Sequence, residues 1–356
     1  MRFADAIGQP RAVEFLRRAL ASGRIGHAYL FTGPEGCGKR TLARAFAAAL
    51  LCPTPQGDGG EIDSCGSCPS CRRVESDSHP DLALVEPRER RQIGREAVDQ
   101  VHAHLCLKPH EAARRVLMVS EAERLSLEAA NALLKTLEEP PGEAVILLTS
   151  AHPEALPATV LSRPQRVRLY APADSLVEGF LLARKGIDKR TVRAVARAAA
   201  GSLSRAIELA DRPAALAERD WMVRRLSTLG AGDNFAFAGE MMDLAGRSEP
   251  RGGDGGEDAE LSKRELLRMR LMELLDLARA YFRDLAAAGA GATEGLFYAE
   301  HADAILERAG AGVSVRSLAA AAAVAEIRRA IDANVEPKTA LSVLAARIAR
   351  LSAREG

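Results

Sequence analysis

The feature that most constrains this chain is a strand–loop–helix signature near its N-terminus. Ala28-Tyr-Leu-Phe-Thr32 is a short apolar run, and Gly33-Pro-Glu-Gly-Cys-Gly-Lys-Arg-Thr41 follows it directly. Thr41 to Leu51 is rich in strong helix formers. A buried strand that turns through glycines into a helix leaves backbone N–H groups and the positive helix end facing outward, a cradle for phosphate. Gly33, Gly38 and Lys39 fit the pattern G-x-x-x-x-G-K-[ST], with Gly36 inside the loop. The last position departs from it. Arg40 stands where a hydroxyl should ligate Mg²⁺, and Thr41 comes one residue late, turned by roughly 100° about the helix. Gly33, Gly36, Gly38, Lys39, Arg40 and Thr41 are the expected contacts to a nucleotide, with binding of ATP or ADP left open.

The same alternation continues downstream. Arg115-Val-Leu-Met-Val119 reads as a second buried strand, ending in Ser120-Glu121. In a phosphate-loop ATPase a strand here ends in Asp-Glu, the Asp holding Mg²⁺ through water and the Glu polarising the attacking water. Ser120 cannot supply that charge, and Glu121 is either the surviving acid or a solvated loop residue. Ser126 is placed to cap a helix that Pro140-Pro141 ends, with Ala130, Leu133, Leu134 and Leu137 forming one apolar stripe. Ala144 to Thr149 is a third strand, running into Ser150 and Ala151. Strands separated by helices predict an α/β domain with a parallel sheet over residues 1–170. Asp174 to Ala210 is helical throughout with a break at Gly201-Ser202, so a small helical lid is expected over 171–211. Residues 212–356 read as a helical bundle, interrupted by a Gly-rich charged loop at 249–258.

Six cysteines are present, and Cys52, Cys65, Cys68 and Cys71 cluster within a short span. C-x₂-C-x₂-C spacing with Gly66, Ser67, Pro69 and Ser70 between the thiols permits the tight turns that bring them onto one ion. Four thiolates suit a closed, structural Zn²⁺ site in a module of about residues 52–78, with an iron–sulfur cluster the other use of such spacing. His79 is a possible ligand but is expected at the surface; Cys37 and Cys106 read as ordinary residues. The nearby acids Asp58, Glu61 and Asp63 disfavour a nucleic-acid contact there. A net charge of +1 excludes a global basic field, leaving local patches for any DNA contact. With no apolar run of membrane-spanning length and no signal-peptide pattern at Met1 to Ile7, a cytoplasmic protein without membrane contact is expected.

Together these residues resemble the bacterial clamp-loader subunits of DNA polymerase III, within the AAA+ ATPases. The resemblance starts at Ile7-Gly-Gln9 and at Arg24 to Phe31, and takes in the phosphate loop and the four cysteines. Its most specific piece is Glu128-Ala-Ala-Asn-Ala-Leu-Leu-Lys-Thr-Leu-Glu-Glu-Pro-Pro141. Ser162-Arg163-Pro164 looks like the family's Ser-Arg-Cys motif, in which the Arg is a finger donated to a neighbour's nucleotide. Arg40, Ser120 and Ser204 sit where the hydrolysing tau/gamma type carries its hydroxyl, its Asp and its lid Arg, with Arg205 one residue displaced. That combination resembles the delta-prime branch, and Asn334-Val-Glu-Pro-Lys338 is similar to its last helices. The resemblance implies an ATPase-deficient subunit that helps load a sliding clamp onto primed DNA. It would be held by a C-terminal collar against tau/gamma and delta subunits, with Arg163 as a trans finger. Two alternatives stay open: an active tau/gamma-type ATPase, and a zinc-containing DNA-binding or scaffold protein that keeps only the fold.

Overall fold

The computed structural model describes residues 1–57, 61–87, 92–184, 189–212, 214–230, 232–247, 263–292, 296–309 and 313–352. The chain divides into two compact units, one of Met1–Lys185 with Gly201–Ile207, the other of Gly186–Ala200 with Glu208–Gly356. Residues 171–211 are thus shared between them, and the loop read at 249–258 lies outside the described residues.

The first unit begins with α1 (Pro10–Ser22), β1 (Ala28–Thr32), α2 (Lys39–Leu51), α3 (Pro69–Glu75) and β2 (Leu82–Val85). It continues through α4 (Arg95–Leu105), β3 (Val116–Val119), α5 (Leu127–Glu138), β4 (Val145–Ser150), α6 (Ala158–Leu161), β5 (Gln165–Arg168) and α7 (Asp174–Ala183). The strands form one five-stranded sheet in the order β2-β3-β4-β1-β5, and every pairing is parallel. The expected α/β class is therefore borne out. Both faces are covered, as parallel sheets require. Tyr29, Phe31, Val116, Met118 and Leu147 pack with α2, while Leu30, Leu117, Val119, Ile146 and Leu148 pack with α5. This two-sided burial explains why the strands read as continuous apolar runs. Ser126 caps α5 as its sequence predicts, accepting from Ala129 N at 3.1 Å.

Six elements of the first unit escape the sequence reading: α1, α3, β2, α4, α6 and β5. β2 is only four residues long, α4 carries a broken apolar pattern, and β5 holds Gln165, Arg166 and Arg168 on the exposed edge of the sheet. Charged side chains are a common protection for such an edge.

The second unit is all helix: α8 (Lys189–Ala199), the end of α9 (Leu203–Ala210) from Glu208 on, α10 (Ala214–Ser227), α11 (Asn234–Gly246), α12 (Lys263–Gly289), α13 (Ala302–Arg308), α14 (Val313–Asp332) and α15 (Pro337–Ser352). Its core runs along α12, where Leu271, Leu274, Leu275, Ala278 and Tyr281 meet Phe237, Ile327, Leu341 and Leu344. The turn at Asn334 has φ +67°, with Val335 N bonded to Ala330 O at 3.0 Å. Glu336 then caps α15, accepting from Lys338 N and Thr339 N at 3.0 and 2.6 Å, with Pro337 at the first helical position. No helix is long and apolar enough to cross a membrane among the described residues.

Candidate functional site

The phosphate loop closes the C-terminal end of β1, beside β4 and β5, where ligands bind in open parallel sheets. Gly33, Gly36 and Gly38 have φ of +155°, +73° and +97°, so the turn needs residues without a Cβ at its inner positions. Gly36 also meets a second segment of the same unit. A Cβ there would lie 1.9 Å from Ser202 Oγ, and Leu203 N donates to Gly36 O at 2.9 Å. Gln9 ties the loop from another side, donating to Cys37 O at 3.2 Å and to Tyr170 O at 2.7 Å. Beside Gln9 lies an open cleft of about 320 Å³, lined in part by Pro10, Arg168 and Tyr170. Lys39 folds back on the loop, its Nζ donating to Gly33 O at 2.9 Å and Pro34 O at 2.7 Å. Gly38 begins α2 without a side-chain cap, which leaves the first-turn amides directed at the loop's mouth.

Arg40 turns toward the ends of β2 and β3. Its Nη2 lies 2.6 Å from Glu86 Oε1 and 3.8 Å from Asp77. Ser120 Oγ donates to that same Glu86 oxygen at 3.3 Å. The two residues that break the phosphate-loop pattern, 80 positions apart in the chain, thus meet on one carboxylate. Thr41 is half-buried, one position further round the helix. Glu121 adopts φ +51°, donates its N–H to Thr149 Oγ1 at 3.1 Å and pairs its carboxylate with Arg124. Ser150 is fully buried at the end of β4, and its Oγ has no hydrogen-bond partner among the described residues. Arg163 is about half exposed and pairs with Glu138 at 2.7 Å. Ser204 is exposed, and Arg205 N bonds Ser202 Oγ at 3.3 Å.

The four cysteines come together. Their sulfurs all lie within 4.8 Å of one another, with Cys52–Cys68 at 4.0 Å and Cys65–Cys71 at 3.8 Å. Four thiolates about 2.3 Å from a central ion would sit roughly 3.8 Å apart, whereas a disulfide needs about 2.05 Å. The set fits a tetrahedral metal ion. Backbone amides support it: Cys68 N points at Cys65 Sγ at 3.3 Å and Cys71 N at Cys68 Sγ at 3.4 Å. Hydrogen bonds from Ser67 and Cys68 lower the Cys65 pKa to about 5, favouring thiolate, while burial pushes Cys71 up to about 12. Arg2 fastens the module from outside, donating to Cys65 O at 2.6 Å and Gln56 at 2.8 Å.

His79 corrects the sequence reading. It is 2% exposed, not a surface residue, and stands outside the cysteine cluster. Its Nδ1 accepts from Asp81 N at 3.0 Å, which leaves Nε2 protonated and facing Ser70 Oγ at 2.9 Å; Ser70 in turn donates to Leu51 O at 2.8 Å. Burial holds its pKa below the ordinary histidine value, so it is a neutral strut between α2, α3 and β2. A histidine between Ser78 and Pro80 gives no local sign of such burial. Glu86, Asp77, Gln9 and Ser202 were also missed. Of these, Gln9 and Ser202 had a signal, in the Ile7-Gly-Gln9 segment and at the Gly201-Ser202 break.

Residues 8–173 match the family described as DNA polymerase III, delta subunit. Among curated proteins, the chain is 36% identical over 228 residues to the DNA polymerase III subunit tau of Escherichia coli, covering 62% of this chain and 34% of that one. It is 43% identical over 140 residues to the subunit delta' of Pseudomonas aeruginosa, covering 38% and 41%, and 32% identical over 174 residues to that of Bacillus subtilis, covering 49% and 51%. The chain thus spans from about a third to about half of the length of these relatives. A solved DNA polymerase III gamma subunit-related protein from Thermotoga maritima aligns over 95% of this chain and 99% of its own, at 18% identity and a TM-score of 0.47. Residues 8–173 of this chain are thus similar to the DNA polymerase III delta-subunit family, and the tau, gamma and delta' subunits are among the proteins it resembles.

Proposed function

We propose that this chain is a delta-prime-type subunit of a replicative clamp loader, deficient in ATP hydrolysis itself. It would assist a sliding clamp onto primed DNA in company with tau/gamma and delta subunits. The observation that carries the reading is the Arg40–Glu86–Ser120 cluster. Phosphoryl transfer depends on Mg²⁺ to position the phosphates and neutralise developing charge. At the corner where that ion belongs, the hydroxyl is replaced by a guanidinium, the strand-end carboxylate by Ser120, and the nearest carboxylate is already paired. These donors do not fit Mg²⁺, which needs oxygen ligands about 2.0–2.1 Å away in an octahedron.

What the subunit retains is an exposed arginine. Arg163, at the end of α6, is the assigned trans finger, held by a single salt bridge to Glu138 that a neighbour's phosphate can displace. Lys39 and the amides at the start of α2 remain for a phosphate contact. The four cysteines hold a structural Zn²⁺ that fixes the connection between α2 and β2. Residues 1–170 act as the nucleotide-fold domain, 171–211 as a lid and 212–356 as the collar that joins the subunit to its neighbours. The test is ATP hydrolysis and clamp loading by a reconstituted assembly carrying Arg163→Ala. A fall of at least about 10³ in hydrolysis is expected of a lost finger, and activity equal to wild type removes the assignment.

One observation favours a second reading, a hydrolysing tau/gamma-type subunit: the alignment to tau covers 62% of this chain, against 38% and 49% for the two delta' relatives. Steady-state hydrolysis by the purified chain, abolished by Lys39→Ala, would establish it.

A further inference from the structure

The Arg40 cluster is more than a lost metal site. The parallel register pairs Val85 with Val119, so the next residues, Glu86 and Ser120, emerge side by side at the end of the sheet. Arg40, on the first turn of α2, reaches the same spot, and Glu86 Oε1 pairs with its guanidinium and accepts from Ser120 Oγ. Asp77 flanks the guanidinium at 3.8 Å and is itself anchored by Arg44, one helical turn beyond Arg40. Arg44 further fixes that stretch by donating to Glu75 O at 2.8 Å. The result is a positive charge set in a defined place next to the phosphate loop, with its counter-charges built in.

We infer that the Arg40 guanidinium takes the place of the divalent cation, so that the loop binds the phosphates of a nucleoside di- or triphosphate without Mg²⁺. The inference rests on the reading of Gly33–Thr41 as a phosphate loop. A guanidinium offers five N–H donors in a fork, and Nη2 is the nitrogen that pairs with Glu86 and faces Asp77. The side chain is 47% exposed, which leaves it open to an incoming anion. Phosphate oxygens are the partners an arginine fork fits best, by charge-assisted, paired hydrogen bonds. Glu86 plays the part of an orienting group. It holds Arg40 beside the loop, and its Oε1 is already engaged by Arg40 and Ser120.

The test is titration of the purified chain with a fluorescent ADP analogue, in EDTA and in millimolar Mg²⁺. The wild-type dissociation constant is expected to agree within about twofold between the two buffers. Arg40→Ala should weaken binding in EDTA by about tenfold or more, the loss of one charge-assisted contact. The double variant Arg40→Ser with Ser120→Asp restores the usual donors and should become Mg²⁺-dependent. Lys39→Ala, which removes the loop's own cation, should abolish binding in both buffers. Absence of binding by wild type, tenfold or greater tightening by Mg²⁺, or an Arg40→Ala variant equal to wild type in EDTA each overturns the inference. Indifference to Lys39→Ala overturns the phosphate-loop reading itself, a separate failure. Far-ultraviolet circular dichroism and metal content show whether each variant is folded.

Discussion

Replacing Asp81 with Asn should loosen the sheet's β2–β3 side while leaving the helical unit untouched. Asp81 is fully buried, and its two oxygens gather three backbone N–H groups: His110 at 2.6 Å, Glu111 at 2.9 Å and Ala112 at 2.9 Å. Arg115 stands 3.8 Å away. Burial pushes the carboxyl up, but the three N–H donors and then Arg115 outweigh it, so its pKa lies below the usual carboxylate value. Asparagine has one carbonyl oxygen. Turned toward Glu111 and Ala112, it sets its NH₂ against the His110 N–H; turned the other way, it strands two donors. At least one charge-assisted bond is lost, worth about 1.5–3 kcal/mol, and a buried N–H is left unpaired, so the cost at neutral pH should be about 3 kcal/mol.

The pH dependence has a definite sign. A carboxyl whose folded pKa is depressed contributes fully above its unfolded pKa and loses that contribution as pH falls through the folded one. The gap between wild type and Asp81→Asn should therefore be full at neutral pH and narrow below the ordinary carboxylate range. Native-state hydrogen exchange reads it at the amides of His110, Glu111 and Ala112, and at Val116, which donates to Asp81 O at 2.9 Å. The chain's single tryptophan, Trp221, belongs to the second unit and stacks on Phe237 at 6.1 Å, so its fluorescence transition is an internal control. Equal protection in both proteins at neutral pH refutes the reasoning. So does a gap that fails to narrow in acid, or a Trp221 transition that moves as far as the exchange does.

The purified chain should carry one zinc by elemental analysis, and Cys71→Ser should lose it; lowering the pH should release it from wild type, because only thiolates bind the ion. Gly36→Ala should be destabilising by about 1–2 kcal/mol from its left-handed backbone alone, with the Ser202 contact adding to it, as a shift in the thermal transition would show. Arg219 is 1% exposed, its guanidinium 4.4 and 4.5 Å from the Phe297 and Tyr298 ring centres and paired with Glu300. Arg219→Ala strands that carboxylate and should cost the helical unit about 3–5 kcal/mol, read by Trp221 fluorescence in urea.

Much of the first unit was legible in the sequence because its signals are local. Ala28–Thr32, Ser126 and the Pro140-Pro141 stop each act through their immediate neighbours, and the structure places β1 and the capped α5 there. The thiol spacing likewise carried the cysteine cluster, since three of the four ligands sit within seven residues. β5 and α4 gave weaker signals, because an exposed edge and a half-exposed helix do not need a clean apolar period.

The sequence by itself determined that a phosphate loop exists and that its hydroxyl and acidic positions are altered. Those are statements about residue type and spacing. Only the tertiary structure decided what the alterations amount to. Arg40, Ser120 and Glu86 come from a helix and two strands, joined by the parallel register of β2 and β3 and by the fit of α2 on the sheet. The same holds for His79, whose burial depends on α3 and β2 closing over it. Contacts between distant segments are fixed by packing, and no local pattern in the chain encodes them.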